Sequence, residues 1–396
     1  MTEMRFTDRT RWDRTPNRLT AAVEARRKAG REILDLTESN PTKCAFDYPD
    51  EELRAALAAP GAMSYDPDPR GLRPAREAVA ASYAARDVRV DPDHLILTSG
   101  TSEAYAFLLR LLCEPGDGIL VPRPGYPLLD FLGGINDVAL ETYPLREADG
   151  WRINLEALRR AIGPRTRAVV VVHPNNPTGS FVTREERKAL AALCRDRGLA
   201  LISDEVFSEC GFQEAGTSSR PFTFSSETDC LAFSFGGLSK TCGLPGLKCS
   251  WLVASGPPAL RDEALARLET LADTYLSVNT PVQRALPRIL ELARPVREQI
   301  LARVRGNRKL LAETFGSVLL AAEGGWYGIL NVPPEPTDEE AALDLLEGKG
   351  VLVHPGYFYD FDAEGHLVLS LLPPPSVFIE GIRRLNDYLR HRHCGV

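Results

Sequence analysis

Three polar side chains of different chemistry follow three successive apolar segments of the sequence. They are Asn176 after residues 168–172, Asp204 after residues 199–202 and Lys240 after residues 231–235. An amine can form a Schiff base with an aldehyde. A carboxylate can keep a pyridine nitrogen protonated, and an amide can donate to a phenolic oxygen. A covalently held pyridine aldehyde would use all three groups at once.

The elements around these residues predict that they meet. Residues 183–197 have helix-boundary signals, because Thr183 and Glu186 can form a capping box and Gly198 can end the helix. Strand, helix and strand through residues 168–202 therefore predict a right-handed crossover between parallel neighbours. The carboxyl ends of parallel strands share one edge of a sheet, where ligands bind. We expect the amide, the carboxylate and the amine in one crevice.

The rest of the chain predicts an α/β protein with a second, smaller domain. We place the large cofactor-binding domain at residues 45–285 and form the small domain from residues 1–44 with 286–396. Helical spacing and breaker residues predict further helices at 19–28, 51–59, 72–86, 103–112, 259–273, 282–292, 296–315 and 377–390, and strands at 95–98 and 118–121.

Composition narrows the class of protein. The 396 residues carry a net charge of −7, which argues against a nucleic-acid partner. No apolar run approaches the roughly 18 residues of a membrane helix, and the amino terminus lacks the apolar core of a secretory signal. The 8 cysteines form no Cys-x-x-Cys pair. We therefore predict reduced thiols, no metal site and a cytoplasmic location.

Residues 98–105 join a predicted strand to a predicted helix and could bind phosphate. Gly100 allows close backbone approach, and Thr101 and Ser102 add hydroxyls at a helix amino terminus, where free N–H groups attract anions. This segment alone leaves open a Ser102 cap without a ligand. A nucleophile elbow is excluded by Ala104 and a Walker loop by Ser239, since both motifs need glycine at these positions.

Pyridoxal phosphate would use the trio and the phosphate segment together. Tyr126 could stack on its ring. Each residue alone has an ordinary alternative: Asn176 shapes a turn, Asp204 ends a strand, and Lys240 is solvated. Their joint placement at strand ends favours the cofactor.

The chain resembles the fold-type I pyridoxal-phosphate enzymes of the class I/II aminotransferase family. The segments that carry the resemblance are 64–71 (Ser-Tyr-Asp-Pro-Asp-Pro-Arg-Gly), 99–104 (Ser-Gly-Thr-Ser-Glu-Ala), 124–127 (Pro-Gly-Tyr-Pro), 175–179 (Asn-Asn-Pro-Thr-Gly), 203–206 (Ser-Asp-Glu-Val) and 239–246 (Ser-Lys-Thr-Cys-Gly-Leu-Pro-Gly). The resemblance implies a three-layer large domain with a mostly parallel sheet, a smaller α+β domain, and amino transfer from an amino acid to a 2-oxo acid by a ping-pong mechanism.

The resemblance also implies a role for each site residue. Lys240 forms the Schiff base and shuttles a proton, Asp204 pairs with the pyridine nitrogen, Asn176 binds the phenolic oxygen, and Tyr126 stacks on the ring. Gly100, Thr101, Ser102, Ser239 and Lys248 surround the phosphate. Tyr65 reaches the phosphate of a neighbouring subunit, which implies a homodimer with shared active sites, and Ser39 contacts the substrate carboxylate.

Four positions depart from the family pattern. Phe207 replaces a tyrosine that donates to the phenolic oxygen, Lys248 replaces an arginine, and Gly237 replaces a serine. Val368 stands where an arginine usually binds the substrate carboxylate. The substitutes considered for this arginine are His366, Arg5, Arg11 and Arg14.

Two other functions stay open on the sequence. A lyase or decarboxylase could use the same scaffold, and the missing arginine makes this alternative more plausible. A cofactor-binding regulator would carry a helix-turn-helix domain before the cofactor domain. Fewer than about 35 residues precede the matching region, too few for such a domain.

Overall fold

The computed structural model describes residues 4–212 and 222–393. Its strands are β1 Leu34–Asp35, β2 Leu95–Thr98, β3 Gly118–Arg123, β4 Ala139–Arg146, β5 Arg152–Ile153, β6 Thr166–Val172, β7 Ala200–Asp204, β8 Ala232–Gly237, β9 Ser250–Ser255, β10 Tyr327–Asn331, β11 Val351–Leu352, β12 His354–Pro355 and β13 His366–Ser370. None of the helices in these ranges is long and apolar enough to cross a membrane.

Most of the helices match the sequence predictions closely. The helices are α1 Arg18–Lys28, α2 Asp50–Leu57, α3 Arg73–Ala84, α4 Thr101–Leu112, α5 Leu128–Ile135, α6 Leu155–Ala161, α7 Arg184–Arg197, α8 Leu238–Thr241, α9 Pro258–Tyr275, α10 Thr280–Leu292, α11 Arg294–Phe315, α12 Asp338–Asp344 and α13 Pro375–His393. Helices α5, α6, α8 and α12 were absent from the sequence prediction.

An eight-stranded sheet forms the centre of the molecule, in the order β2-β9-β8-β7-β6-β3-β4-β5. The neighbours from β4 through β3, β6 and β7 to β8 are parallel, as predicted for the crossover through 168–202. Strand β9 is antiparallel to both β8 and β2, and β5 is antiparallel to β4. The prediction of a mostly parallel sheet is confirmed.

The sheet is covered on both faces, which makes the large unit three-layered. Along β6, Val169 and Val171 pack into one apolar cluster, whereas Ala168 and Val170 pack into another. This alternation follows from the two-residue period of a strand. Helix α7 lies next in the chain and has the predicted capping box between Thr183 and Glu186.

A separate core joins the two ends of the chain. Leu19 and Leu36 pack in one cluster with residues of α11, β10 and α13, among them Val304 and Leu385. A three-stranded sheet, β10-β13-β12, and the parallel pair β1-β11 accompany this core. The domain boundaries at 45–285 and at 1–44 with 286–396 stay a prediction, for which this shared core is the physical rationale.

Candidate active site

The predicted trio lies at the carboxyl ends of three adjacent strands. The register pairs Val172 with Asp204 and Asp204 with Phe235, so β6, β7 and β8 end at nearly the same level. Asn176 lies in the loop after β6, Asp204 is the last residue of β7, and Lys240 lies in the short helix α8 after β8. Asp204 and Lys240 are close enough to perturb each other electrostatically.

Asp204 presents a carboxylate whose two oxygens are held in place. Oδ1 accepts a hydrogen bond from the backbone N–H of Val206 at 3.2 Å, and Oδ2 accepts one from the hydroxyl of Tyr105 at 3.3 Å. Desolvation raises the pKa of Asp204 from 3.8 to about 6, against the opposing effects of these two donors and of Lys240. A cation placed beside this carboxylate would therefore be strongly stabilised.

The amine of Lys240 lies between two aromatic rings. Its Nζ is 5.0 Å from the ring centroid of Trp326 and 5.4 Å from that of Phe207. Burial lowers the pKa of Lys240, although Cys210 and Asp204 oppose that shift. Within residues 4–212 and 222–393, Nζ has no hydrogen-bond acceptor and no ion-pair partner. The residue as a whole is partly buried.

The loop that carries Asn176 is held by its neighbour. Asn175 accepts a hydrogen bond from the Thr178 hydroxyl at 2.9 Å, and its backbone N–H donates to the Ser180 carbonyl at 2.9 Å. Asn176 Oδ1, in contrast, is buried and has no hydrogen-bond partner among the residues that the structure describes. Buried amides are nearly always paired. An amide held in this way indicates a missing polar ligand.

Glu205 keeps the end of β7 rigid although its carboxylate points away from Lys240. It accepts hydrogen bonds from the Phe224 backbone N–H at 2.7 Å and from the Ser203 hydroxyl at 3.0 Å. The Thr223 hydroxyl also donates to it. These contacts tie the site strand to the segment that follows the undescribed residues 213–221.

The predicted phosphate segment begins helix α4. Gly100 precedes the helix without any side-chain cap, so the cap alternative for Ser102 is not what the structure shows. A Cβ added to Gly100 would lie 3.4 Å from Nζ of Lys248. Uncapped N–H groups of a three-turn helix and a nearby ammonium fit an anion such as phosphate. Ser239 lies near the beginning of α8, which also has no side-chain cap.

The departure at Gly237 has a steric cause. A Cβ at this position would collide with the hydroxyl of Ser250 on the neighbouring strand β9. A side chain at 237 would therefore require the Ser250 hydroxyl to rotate away.

The remaining predicted residues lie in different environments. Tyr126 is 54% exposed and Tyr65 is 75% exposed, so both rings are open to a ligand or a second subunit. Ser39 is partly buried beside Tyr327. Val368 is fully buried in β13.

Three of the residues suggested as substitutes for the missing arginine, His366, Arg5 and Arg11, have their contacts elsewhere in the described structure. The Nε2 atom of His366 lies 3.1 Å from a Glu147 carboxylate oxygen, and its Nδ1 atom lies 3.0 Å from the Ala363 carbonyl. His366 also stacks on Phe361, with 4.3 Å between ring centroids. Arg5 and Arg11 are exposed and lie near Asp8. Both ring nitrogens of His366 are thus engaged away from the crevice.

Sequence reasoning missed two residues of this site, Tyr105 and Trp326. Tyr105 lies on the apolar face of α4, where helical spacing alone indicates a core residue. The sequence signal for a role in the site was its hydroxyl group on this otherwise apolar face of α4. Trp326 lies outside the segments that carry the resemblance, and no sequence pattern around it indicates a functional role. For metals, no cluster of three or more potential ligands occurs in the described parts of the chain.

Comparison with known proteins identifies the family. The family model "Aminotransferase class I and II" matches residues 31–374. The chain belongs to the class I and II aminotransferases. It is therefore a pyridoxal-phosphate-dependent enzyme that transfers amino groups between amino acids and 2-oxo acids, as predicted. The unpaired Asn176, the buried Asp204 and the cradle at Gly100 fit this cofactor.

Similar proteins cover nearly the whole chain. An alanine aminotransferase from Mycobacterium tuberculosis is 31% identical over 373 residues, which are 91% of this chain and 86% of that protein. The glutamate-pyruvate aminotransferase AlaA of Escherichia coli is 30% identical over 88% of this chain and 89% of its own length. The solved alanine aminotransferase from Pyrococcus furiosus superposes with a TM-score of 0.86 at 24% identity, covering 98% of this chain and 100% of that one. The predicted fold class is confirmed.

Proposed function

We propose that Lys240 is the residue that holds the cofactor and moves the proton during amino transfer. The observation that carries this proposal is its amine, which lies beside Asp204 without a hydrogen-bond or ion-pair partner in the described residues and has a lowered pKa. A lowered pKa increases the neutral fraction of the amine, the form that attacks a carbonyl and accepts a proton. Lys240 Nζ would carry the proton between the substrate Cα and the former aldehyde carbon of the cofactor.

Asp204 and Asn176 are proposed to control the ring. Bound pyridoxal phosphate supplies a pyridine ring that accepts electrons from the substrate. Asp204 would hold a proton at the ring nitrogen, because an adjacent carboxylate favours the charged form of that nitrogen. The Nδ2–H group of Asn176, whose Oδ1 is buried without a partner among the described residues, would donate to the phenolic oxygen.

The other predicted residues would contact the phosphate, one face of the cofactor ring and the substrate. We assign the phosphate to Gly100, Thr101, Ser102, Ser239 and Lys248. Tyr126 would stack on the exposed ring face. Ser39 would contact the substrate on the side of the small core.

The acceptor and donor are proposed from the relatives. One relative is named for alanine and another for glutamate and pyruvate. We therefore propose pyruvate and 2-oxoglutarate as the first acceptors to test, with alanine and glutamate as the first donors.

We also propose that two copies of the chain form a homodimer with shared active sites. Tyr65 is 75% exposed, and two further large apolar side chains, Met63 and Tyr275, are 93% and 50% exposed. Exposed apolar groups of this size are typical of subunit interfaces. Sedimentation of the purified enzyme tests this state. In mixed dimers of Lys240→Ala and Tyr65→Ala, regained activity would support Tyr65 acting across the interface.

A cytoplasmic location is likewise a proposal. Seven described cysteines are free, and six of them are buried. Free buried thiols are typical of reducing compartments. Cell fractionation with an antibody against the chain tests it.

The central experiment is a spectroscopic screen of amino donors on purified holoenzyme. A productive donor would convert the cofactor to its amine form, and a 2-oxo acid would reverse the change. Borohydride reduction followed by peptide mapping should place the cofactor on Lys240, and Lys240→Ala should carry no label while the exposed control Lys309→Ala is labelled normally. Label on another lysine would refute the assignment.

A further inference from the structure

Val368 occupies the position in β13 where the family pattern has an arginine that binds the substrate carboxylate. Val368 is paired with Ile329 of β10 on one side and with His354 of β12 on the other. Val368 is fully buried and Ile329 nearly so. At this sheet position the strand partners of Val368 therefore offer an anion a polar group, the ring of His354, but no charged side chain.

A chain of polar groups begins at His354 and runs toward the cofactor site. His354 Nδ1 lies 3.1 Å from the hydroxyl of Tyr359. The ring centroids of Tyr359 and Tyr327 are 6.1 Å apart, and their hydroxyls are within interaction distance. The hydroxyl of Tyr327 also interacts with the side chain of Ser39. We call Ser39, Tyr327 and Tyr359 the hydroxyl cluster.

The hydroxyl cluster lies beside the candidate active site. Tyr126, the proposed stacking residue, is an electrostatic neighbour of both Tyr327 and Tyr359. The backbone N–H of Gly125 donates to the Tyr359 carbonyl at 2.9 Å, which fixes Tyr126 relative to the cluster. Tyr327 directly follows Trp326, whose ring contacts the amine of Lys240.

The cluster consists of neutral donors. Burial raises the pKa of both Tyr327 and Tyr359, so both stay protonated at neutral pH. Burial lowers the pKa of His354 to about 4, so its ring is neutral. The nearby Arg123 is paired with Asp360 at 2.8 Å. The cluster can therefore offer hydroxyl protons to an anion, but no full positive charge of its own.

We propose that the hydroxyl cluster of Ser39, Tyr327 and Tyr359 binds the carboxylate of the amino-acid substrate in place of an arginine. In the tautomer with a proton on Nδ1, His354 donates to Tyr359, while Tyr359 and Ser39 both act as donors toward the Tyr327 hydroxyl. The Tyr327 hydroxyl therefore keeps its own proton for the carboxylate, and the bonds that it accepts polarise that proton. The proposal rests on the proposed function, because it names the substrate contact of that site.

Neutral donors predict a different selectivity from an arginine. A guanidinium prefers a carboxylate because of its charge and its paired donors. Hydroxyls can both donate and accept, so they also fit a carboxamide. We expect this enzyme to distinguish an amino acid from its carboxamide weakly.

The test measures single-turnover conversion of the holoenzyme spectrum against donor concentration. Tyr327→Phe should raise the half-saturating amino-acid concentration about 10-fold or more, the effect of losing a hydrogen bond to a charged group. Tyr359→Phe, which removes a donor to Tyr327, should raise it by less. The limiting rate should change much less. Ser39→Ala, which removes one hydroxyl with little change in volume, provides a second variant if a tyrosine variant folds poorly. The matched control is Tyr357→Phe, whose hydroxyl bonds to Glu339.

The outcomes separate the two proposals. A higher half-saturating concentration in the cluster variants, with an unchanged value in the control, supports the carboxylate site. Unchanged values in all three cluster variants would overturn it. If no amino acid converts the unmodified holoenzyme, the proposed function itself is wrong.

Discussion

The hydroxyl of Tyr105 donates to Oδ2 of Asp204 across 3.3 Å. Tyr105 lies in α4, the helix whose amino terminus at Gly100 forms the proposed phosphate site. One helix thus connects both ends of the proposed cofactor site: its first turn would face the phosphate, and its second turn positions Asp204, the proposed partner of the ring nitrogen. Any shift of α4 would disturb both contacts together.

Tyr105→Phe should weaken cofactor binding in a pH-dependent manner. The Tyr105 hydroxyl opposes the upward pKa shift of Asp204, so its removal should raise that pKa above about 6. More carboxyl groups would then be protonated near neutral pH and unable to hold a protonated pyridine. We expect the dissociation constant for pyridoxal phosphate to rise about 10-fold, with the increase largest at weakly acidic pH. Absorbance titrations of cofactor-free protein at several pH values measure it.

The control for this variant is Tyr143→Phe. Tyr143 is equally buried, but its hydroxyl donates to the Val170 carbonyl at 2.6 Å. The same pH dependence of cofactor binding in both variants would mean that the bond to Asp204 has no role.

Asp204→Asn should stabilise the cofactor-free protein at neutral pH. Burial raises the pKa of Asp204 from 3.8 to about 6, which corresponds to about 3 kcal/mol of unfavourable charge burial at 1.36 kcal/mol per pKa unit. The folded state binds this proton more tightly than the unfolded state does. The penalty is therefore fully present above about pH 6 and disappears as the pH falls toward about 4.

Chemical unfolding of the cofactor-free proteins at both pH values checks this prediction. We expect the variant to exceed the parent by up to about 3 kcal/mol at neutral pH and to lose that advantage in acid. The exposed control Asp196→Asn should change little. A variant no more stable than its parent at neutral pH contradicts the charge-burial argument.

The sequence predicted the strand ends and the trio because these depend on local patterns. The apolar runs before Asp204 and Lys240 have strand composition, and the capping box at Thr183 and Glu186 marks the crossover helix unambiguously. Because these neighbouring strands are parallel, their carboxyl ends lie at one edge of the sheet, so the three residues converge there.

The rest of the site depends on contacts between distant segments. From the sequence, Tyr105 is predicted to be a core residue of an amphipathic helix. Only its position against β7 in the structure shows that its hydroxyl bonds to Asp204. The hydroxyl of Ser250 on the antiparallel strand β9 occupies the space that a side chain at Gly237 would need. The hydroxyl cluster combines residues near position 39 with residues near 327 and 359. No periodicity or spacing along the chain predicts that these segments come into contact.

Phe207→Tyr should lower the pKa at which the visible spectrum of the holoenzyme changes. Phe207 is buried with its ring edge-on to Trp326, at 5.2 Å between centroids, and lies beside Lys240. An added hydroxyl could donate to the phenolic oxygen of the cofactor, which would then hold the proton at the lysine linkage less well. One such hydrogen bond corresponds to about one pKa unit. A spectral pH titration that gives the same pKa for both proteins would refute this.

Lys248→Ala should weaken binding of the phosphate end of the cofactor. The amine lies 3.4 Å from the position of a Cβ on Gly100, next to the uncapped first turn of α4. Loss of one charge-assisted contact should raise the dissociation constant for pyridoxal phosphate about 10- to 100-fold. Pyridoxal, which has no phosphate, should bind the variant and the parent equally. Lys248→Arg should retain most of the affinity, and the exposed control Lys309→Ala should retain all of it. Equal losses for pyridoxal and pyridoxal phosphate would show that Lys248 supports the fold of this segment and does not bind the phosphate.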